Sequence, residues 1–266
     1  MKKGEMLIQS NEFSPEMMER HQPLKGKVAL VTGASQSIGR AIAERLSRDG
    51  ASVILHYRNH EHEAQQAVEA IRAQGGTVLA LQADLTERGA IEHLFEEVHG
   101  HFGRIDIVVA NAGVPHRMPI IEVTEEQFDQ VFAINTRSVF FMLQEAARRV
   151  EPGGRLVVIS SSTTYYPTQG VAVYAGSKAA SKLFVEVMAQ EIGQRQVTVN
   201  SVLVGATDSG FLEEYPLEEK QRIAQSSPMG RLGTPQDTAD VVAFLASYDA
   251  RWISGQHILT NGAAHI

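Results

Sequence analysis

The 266-residue chain contains no cysteine. Disulfide stapling, a thiolate nucleophile and cysteine-bound zinc are therefore excluded, and the lack of thiols is compatible with a reducing cytosol. Aromatic residues make up only 6% of the chain, with a single tryptophan. No apolar run approaches the roughly 20 residues that a membrane-spanning helix needs. The first residues carry two lysines followed by acids and polar side chains, without the apolar core of an export signal. Basic charge is also short: 24 Lys and Arg against 31 Asp and Glu leave a net charge of −7, so the chain as a whole has no attraction for nucleic acid or an anionic membrane. What is present, 43% hydrophobic and 21% charged residues, is the composition of a globular protein with a sizeable core. The expectation is a cytoplasmic protein that handles a small molecule, with neither nucleic acid nor membrane as partner.

Residues 1–24 read as a polar N-terminal extension and 25–266 as one domain, because no Pro-, Gly- or Ser-rich linker interrupts the latter. Within it, apolar runs alternate with helical patterns. Strands are expected over 28–32, 52–57, 77–82, 105–110, 155–160, 197–203 and 256–259. Helices are expected over 40–49, 61–74, 87–101, 124–149 (with an irregularity near its start), 173–193 and 235–247. Strands that are apolar throughout, each followed by a helix, describe an α/β fold: a doubly wound parallel sheet covered on both faces. Such sheets bind ligands at the carboxyl ends of their strands, so the residues after each strand carry the functional reading.

The first strand runs into Thr32-Gly33-Ala34-Ser35-Gln36-Ser37-Ile38-Gly39 and then a helix. Small residues there let backbone N–H groups approach a pyrophosphate, and the helix N-terminus adds partial positive charge. The second strand ends in Tyr57-Arg58-Asn59 with no acid to bind a free adenosine ribose, whereas Arg58 can pair with a 2′-phosphate. This favours NADP(H) while leaving NAD(H) open. Asp84, followed by Leu85, can accept a hydrogen bond from an adenine amino group, and Asn111-Ala112-Gly113 supplies small residues and a strand-tying amide. The three histidines His56, His60 and His62 straddle a strand end and a helix start and are not read as a metal site. Tyr174 and Lys178 are four apart and share a helix face. An ammonium beside a phenol lowers the phenol's pKa from about 10 and readies it for proton exchange. Ser160-Ser161-Ser162, at the end of the fifth strand, offers hydroxyls to a substrate carbonyl.

Taken together, the turn over 32–39, Asp84, Asn111-Ala112-Gly113, Asn135, Ser161 and Tyr174-x-x-x-Lys178 resemble the short-chain dehydrogenase/reductase family, and within it the 3-oxoacyl-ACP-reductase-like carbonyl reductases. The resemblance implies a Rossmann-type seven-stranded sheet, a nicotinamide cofactor and a homotetramer. It also implies roles. Tyr174 would be the proton donor, Ser161 would polarise the carbonyl, Lys178 would lower the tyrosine pKa and bind the ribose, and Asn135 would hold a water linked to Lys178. Gly205, Thr207 and Ser209 would contact the cofactor after the sixth strand, and a lid over about 206–230 would bring Phe211, Leu212 and Tyr215 to the substrate. His116 and Arg117, which follow the Asn-Ala-Gly turn, are either pocket residues or exposed loop residues. The chain departs from the family pattern at Ser37, where glycine is usual, at Gln36, where NADP-preferring members carry a basic residue, and at Val204, which replaces a proline. The implied activity is NADP(H)-dependent reduction of a ketone or 3-oxoacyl carbonyl to a secondary alcohol. An NAD-dependent alcohol dehydrogenase and a non-catalytic nucleotide sensor are the alternatives.

Overall fold

The apolar runs assemble as one parallel sheet in a computed structural model that describes residues 22–213 and 215–264. Its strands are β1 (Val28–Val31), β2 (Ser52–Tyr57), β3 (Val78–Gln82), β4 (Ile107–Ala110), β5 (Arg155–Ser161), β6 (Thr198–Val204) and β7 (His257–Thr260), in the spatial order β3-β2-β1-β4-β5-β6-β7. All pairings are parallel. The helices are α1 (Ser37–Arg48), α2 (Glu61–Ala73), α3 (Ala90–Phe102), α4 (Glu125–Phe132), α5 (Ser138–Arg149), α6 (Ala172–Ile192), α7 (Leu217–Gln225) and α8 (Pro235–Ala246). The arrangement is Rossmann-like.

Every residue of β1, β4, β5 and β6 is buried, which is why these strands are mostly apolar instead of alternating; the exceptions are Arg155, Ser160 and Ser161 on β5 and Thr198, Asn200 and Ser201 on β6. Alternate residues nevertheless serve opposite faces. Leu30, Ile54, Val108 and Leu156 pack against Phe95 of α3 and Met142 of α5. Their neighbours Val31, Leu55, Val109 and Val157 pack with Ile42 of α1, Val68 of α2 and Val242 of α8. Strand order runs outward in both directions from the β1–β4 pair, so the carboxyl ends of these two strands form the switch point where such sheets take ligands.

Several boundaries differ from the sequence reading, among them the start of α3, at Ala90 and not 87. Leu24 is buried, and its N–H donates to the Asp49 carbonyl at 2.9 Å, so the fold begins inside the expected extension; residues 1–21 of that extension lie outside the described residues. Helix α1 starts at Ser37, not at 40, which draws half of the glycine turn into its first turn. β4 starts at Ile107, because the Asp106 carboxylate is held by Lys27, Arg104 and the Val28 N–H. The single helix expected over 124–149 is α4, a π-helical turn at Ala133–Arg137, and α5. The polar stretch 206–230 contains a 3-10 turn at Gly210–Leu212 followed by α7.

Candidate active site

Side chains stitch the β1 and β4 ends together. Asn111 Nδ2 donates to the carbonyls of Thr32 (2.9 Å) and Gly33 (3.0 Å), while the Thr32 hydroxyl accepts the N–H groups of Asn111 and Ala112, both at 3.0 Å. The turn is too tight for side chains: a Cβ on Gly39 would lie 2.1 Å from the Gly33 carbonyl oxygen, and one on Gly33 (φ +61°) 2.9 Å from Ala112 Cα. From β2, the buried His56 completes the cradle. Its Nδ1 accepts the Gly33 N–H at 3.2 Å and its Nε2 lies 3.0 Å from the Ala83 carbonyl. With Nδ1 as acceptor, the proton sits on Nε2 and donates to Ala83. Burial pushes the imidazole pKa down to about 4, so the ring is neutral at pH 7.

No side chain caps the start of α1 and its first turn has no acid, which leaves N–H groups and the positive end of the helix dipole facing outward. Ser37 opens this helix in the left-handed region (φ +54°), a conformation that costs a non-glycine residue about 1–2 kcal/mol. Its hydroxyl donates to Ser209 Oγ at 2.9 Å.

The reacting cluster sits at the other end of the crevice. Ser161 closes β5, and its Oγ accepts both the N–H (3.2 Å) and the hydroxyl (2.9 Å) of Thr163. With both lone pairs taken, its own O–H is left to donate, and it is hydrogen-bonded to the Tyr174 hydroxyl. Burial raises the Tyr174 pKa, and the Ser161 bond opposes the rise without overcoming it. A phenol lowered by Lys178 is therefore not what this state shows. The buried Lys178, pushed down to about 8 by burial, directs Nζ to the Ile159 carbonyl at 3.0 Å. Asn135 lies in the π-helical turn, wholly buried; its Oδ1 accepts the Val114 N–H (2.8 Å), and its Nδ2 donates to the Val114 carbonyl (2.9 Å) and Ser177 Oγ (3.0 Å). One amide donor clamps the loop after β4 and the other goes to Ser177 of α6, so a water would be held by a remaining lone pair or the main chain. Gly113 lets these groups meet, since a Cβ there would lie 2.9 Å from Asn135 Oδ1 and 3.0 Å from Lys178 Nζ.

A cavity of about 670 Å³ joins the two ends. Gly33, Ser35, Gln36, Ser37, Ile38, Gly39, Tyr57, Arg58, Asn59, Leu85, Asn111, Ala112, Gly113, Ser161, Tyr174, Lys178, Gly205, Thr207, Ser209 and Leu212 all line it. Four described expected residues do not: Asn135, wholly buried, and Asp84, His116 and Tyr215. Asp84 turns away: its carboxylate accepts the N–H (2.9 Å) and hydroxyl (2.6 Å) of Thr86 and lies 3.6 Å from Arg58. Burial works against that charge, yet the Thr86 bonds and Arg58 together hold the carboxyl below its ordinary value. His116 is absent from the wall, although Pro115 and Arg117 on either side are in it. Tyr215 stands behind the mouth, where its hydroxyl accepts from Arg117 Nη1 at 2.7 Å. The Phe211 side chain lies outside the described residues. Among the described residues no cluster of His, Asp and Glu could hold a metal, and no helix is long and apolar enough to cross a membrane. The sequence reading missed His56 as a support of the turn, and it missed the Thr32 hydroxyl. Only the pairing of β1 with β2 and β4 brings either to bear.

The family model described as enoyl-(acyl carrier protein) reductase matches residues 33–265. The hydroxynaphthalene reductase arp2 of Aspergillus fumigatus is 42% identical over 247 residues, covering 88% of this chain and 90% of that protein. The short chain dehydrogenase/reductase AacuN of Aspergillus aculeatus is 41% identical over 254 residues, covering 91% and 96%. Among solved structures, an angucycline C-6 ketoreductase, LanV, with bound NADP, superimposes with a TM-score of 0.85 at 39% identity, covering 90% of this chain and 96% of that one.

Proposed function

This chain belongs to the short-chain dehydrogenase/reductase family, and from that premise we propose that it is an NADPH-dependent ketoreductase with Tyr174 as proton donor. The observation that carries the reading is the meeting of Ser161, Tyr174 and Lys178 in the same cavity as the uncapped start of α1.

The residues present fit a nicotinamide dinucleotide. The first-turn amides of α1 suit its diphosphate, and the turn's glycines stand where a side chain would obstruct the backbone. Arg58, with no acid at the end of β2, suits a 2′-phosphate, and relatives crystallised with NADP agree. Gly113 leaves room beside Lys178, whose ammonium would reach the nicotinamide ribose.

When bound, the reduced nicotinamide supplies a hydride to the substrate's carbonyl carbon. The carbonyl oxygen would take the position between the hydroxyls of Ser161 and Tyr174. Ser161 donates a hydrogen bond that strengthens as the oxygen gains charge. Tyr174 then passes its proton to that oxygen, leaving alcohol and phenolate. A phenol held protonated by burial is the form a general acid needs. Lys178, as ammonium, stabilises the phenolate that remains, and solvent protons restore the phenol.

The substrate we propose is a ketone within a hydroxylated polycyclic aromatic. Apolar Val114, Pro115, Val171 and Leu212 line the reacting end of the cavity, and relatives include reductases named for hydroxynaphthalene and angucycline ketones. Two exposed apolar faces suit a homotetramer: a groove lined by Phe132, Phe140, Phe141 and Phe184, and the region around Tyr248 and Trp252, the latter 95% exposed. The test is NADPH consumption, with NADH alongside, over polycyclic ketones, simple ketones and 3-oxoacyl thioesters. Tyr174→Phe should lose about 10²–10⁴-fold in kcat while binding NADP⁺ as before. Undiminished turnover in that variant would refute the assignment.

A further inference from the structure

Three described residues other than glycine adopt a left-handed φ: Ser37, Gln196 and Ala263. Gln196 follows a 3-10 turn and Ala263 follows Gly262 near the end of the chain. Only Ser37 lines the cavity, at a position where glycine would carry the same φ without strain. The serine therefore calls for a reason that lies in its hydroxyl.

That hydroxyl reaches 172 residues along the chain to Ser209, the first residue before the 3-10 turn that opens the lid. Gly210 follows with φ +53°, and a Cβ there would lie 3.6 Å from Ser37 Oγ. The adjacent Asp208 holds Lys220 of α7 at 2.9 Å. The lid helix is thus fastened to residue 208, and residue 209 is fastened to the cofactor turn.

We infer that the Ser37–Ser209 pair is a tether through which a dinucleotide's diphosphate tightens the lid; this rests on the cofactor reading above. A hydroxyl has one proton and two lone pairs. Without ligand, Ser37 gives its proton to Ser209. A phosphate oxygen bound at the start of α1 would be the stronger acceptor and would receive the Ser37 O–H hydrogen bond, and the Ser209 hydroxyl would then rotate to donate to Ser37. The bond between the serines survives with its direction reversed, and each link polarises the next. Ser37 and Ser209 are positioning residues in this scheme, acting on α7 and not on the reacting atoms.

Limited trypsin digestion at Lys220 and Arg222 reads the lid directly, without turnover. Wild type, Ser37→Gly, Ser209→Ala and the double variant are each digested with and without NADP⁺, at concentrations that saturate each protein by its own titration. NADP⁺ should slow lid cleavage of wild type about tenfold, a change of about 1.4 kcal/mol in lid opening. In each single variant the protection should shrink to about twofold or less, and the double variant should lose no more than the singles. Ser37→Gly relieves backbone strain whereas Ser209→Ala does not, so agreement between them assigns the effect to the shared bond. Full protection in either single variant, or additive losses in the double, overturns the tether alone. Failure of wild type to bind NADP(H) at all overturns the cofactor reading, and the tether with it.

Discussion

Protonation of His56 should loosen the cofactor turn, because the imidazole supports Gly33 only while Nδ1 is free to accept. Its pKa falls from 6.5 to about 4 on burial, a difference worth about 3 kcal/mol between the two protonation states. The folded value lies below the unfolded one, so the unfolded chain binds the proton first. The contribution to stability is therefore complete above about pH 6.5 and is lost as the pH falls from there towards 4. At pH 5 the loss from this residue should be about 2 kcal/mol. Urea unfolding at pH 7.5 and pH 5.0, on wild type and His56→Asn, isolates it. The asparagine amide can still accept the Gly33 N–H but does not titrate. Other groups contribute equally to both proteins, so wild type should lose about 2 kcal/mol more than the variant over this interval. Equal losses, within about 0.5 kcal/mol, would refute the buried neutral imidazole as the support of the turn.

Arg58→Ala should raise the KM for NADPH by roughly tenfold, the low end for a charge-assisted contact because Arg58 is half exposed, and leave that for NADH unchanged; equal changes for both would remove the 2′-phosphate contact. Gly39→Ala drives a Cβ to 2.1 Å from the Gly33 carbonyl, an overlap costing about 1–3 kcal/mol or more. NADP⁺ titration should show at least a tenfold weaker complex, about 1.4 kcal/mol, and wild-type affinity would mean that the turn yields. Asn135→Ala leaves the Val114 N–H and carbonyl without their partner, and should cost about 2–4 kcal/mol in chemical denaturation. A cost under about 1 kcal/mol would show that Asn135 does not clamp the loop.

The sheet was legible because seven apolar runs are separated by glycine turns and helical patterns, and burial on both faces leaves few other ways to fold them. The Tyr174–Lys178 pair was legible as a spacing, and a helix converts four residues into one face. Other features depend on partners far along the chain. The π-helical turn at Asn135 leaves the periodicity of 124–149 nearly intact, since one widened turn shifts the pattern by a single residue; what holds it is the bond to Val114. The bonds of Asp84 to Thr86 and its approach to Arg58 were not legible, because they depend on how the turn after β3 folds back towards the end of β2. The upward push of burial on the Tyr174 phenol was not legible, because desolvation is set by packing, which spacing does not report.

The chain's one tryptophan stands almost entirely in water, and that makes the protein its own optical probe. Indole emission moves to shorter wavelength when the ring leaves water. Trp252 lies well away in sequence from both halves of the candidate site. Its spectrum therefore follows what covers that one face. A dilution series read at this fluorophore would show whether a second copy covers that face, without any label and against a background free of other indoles.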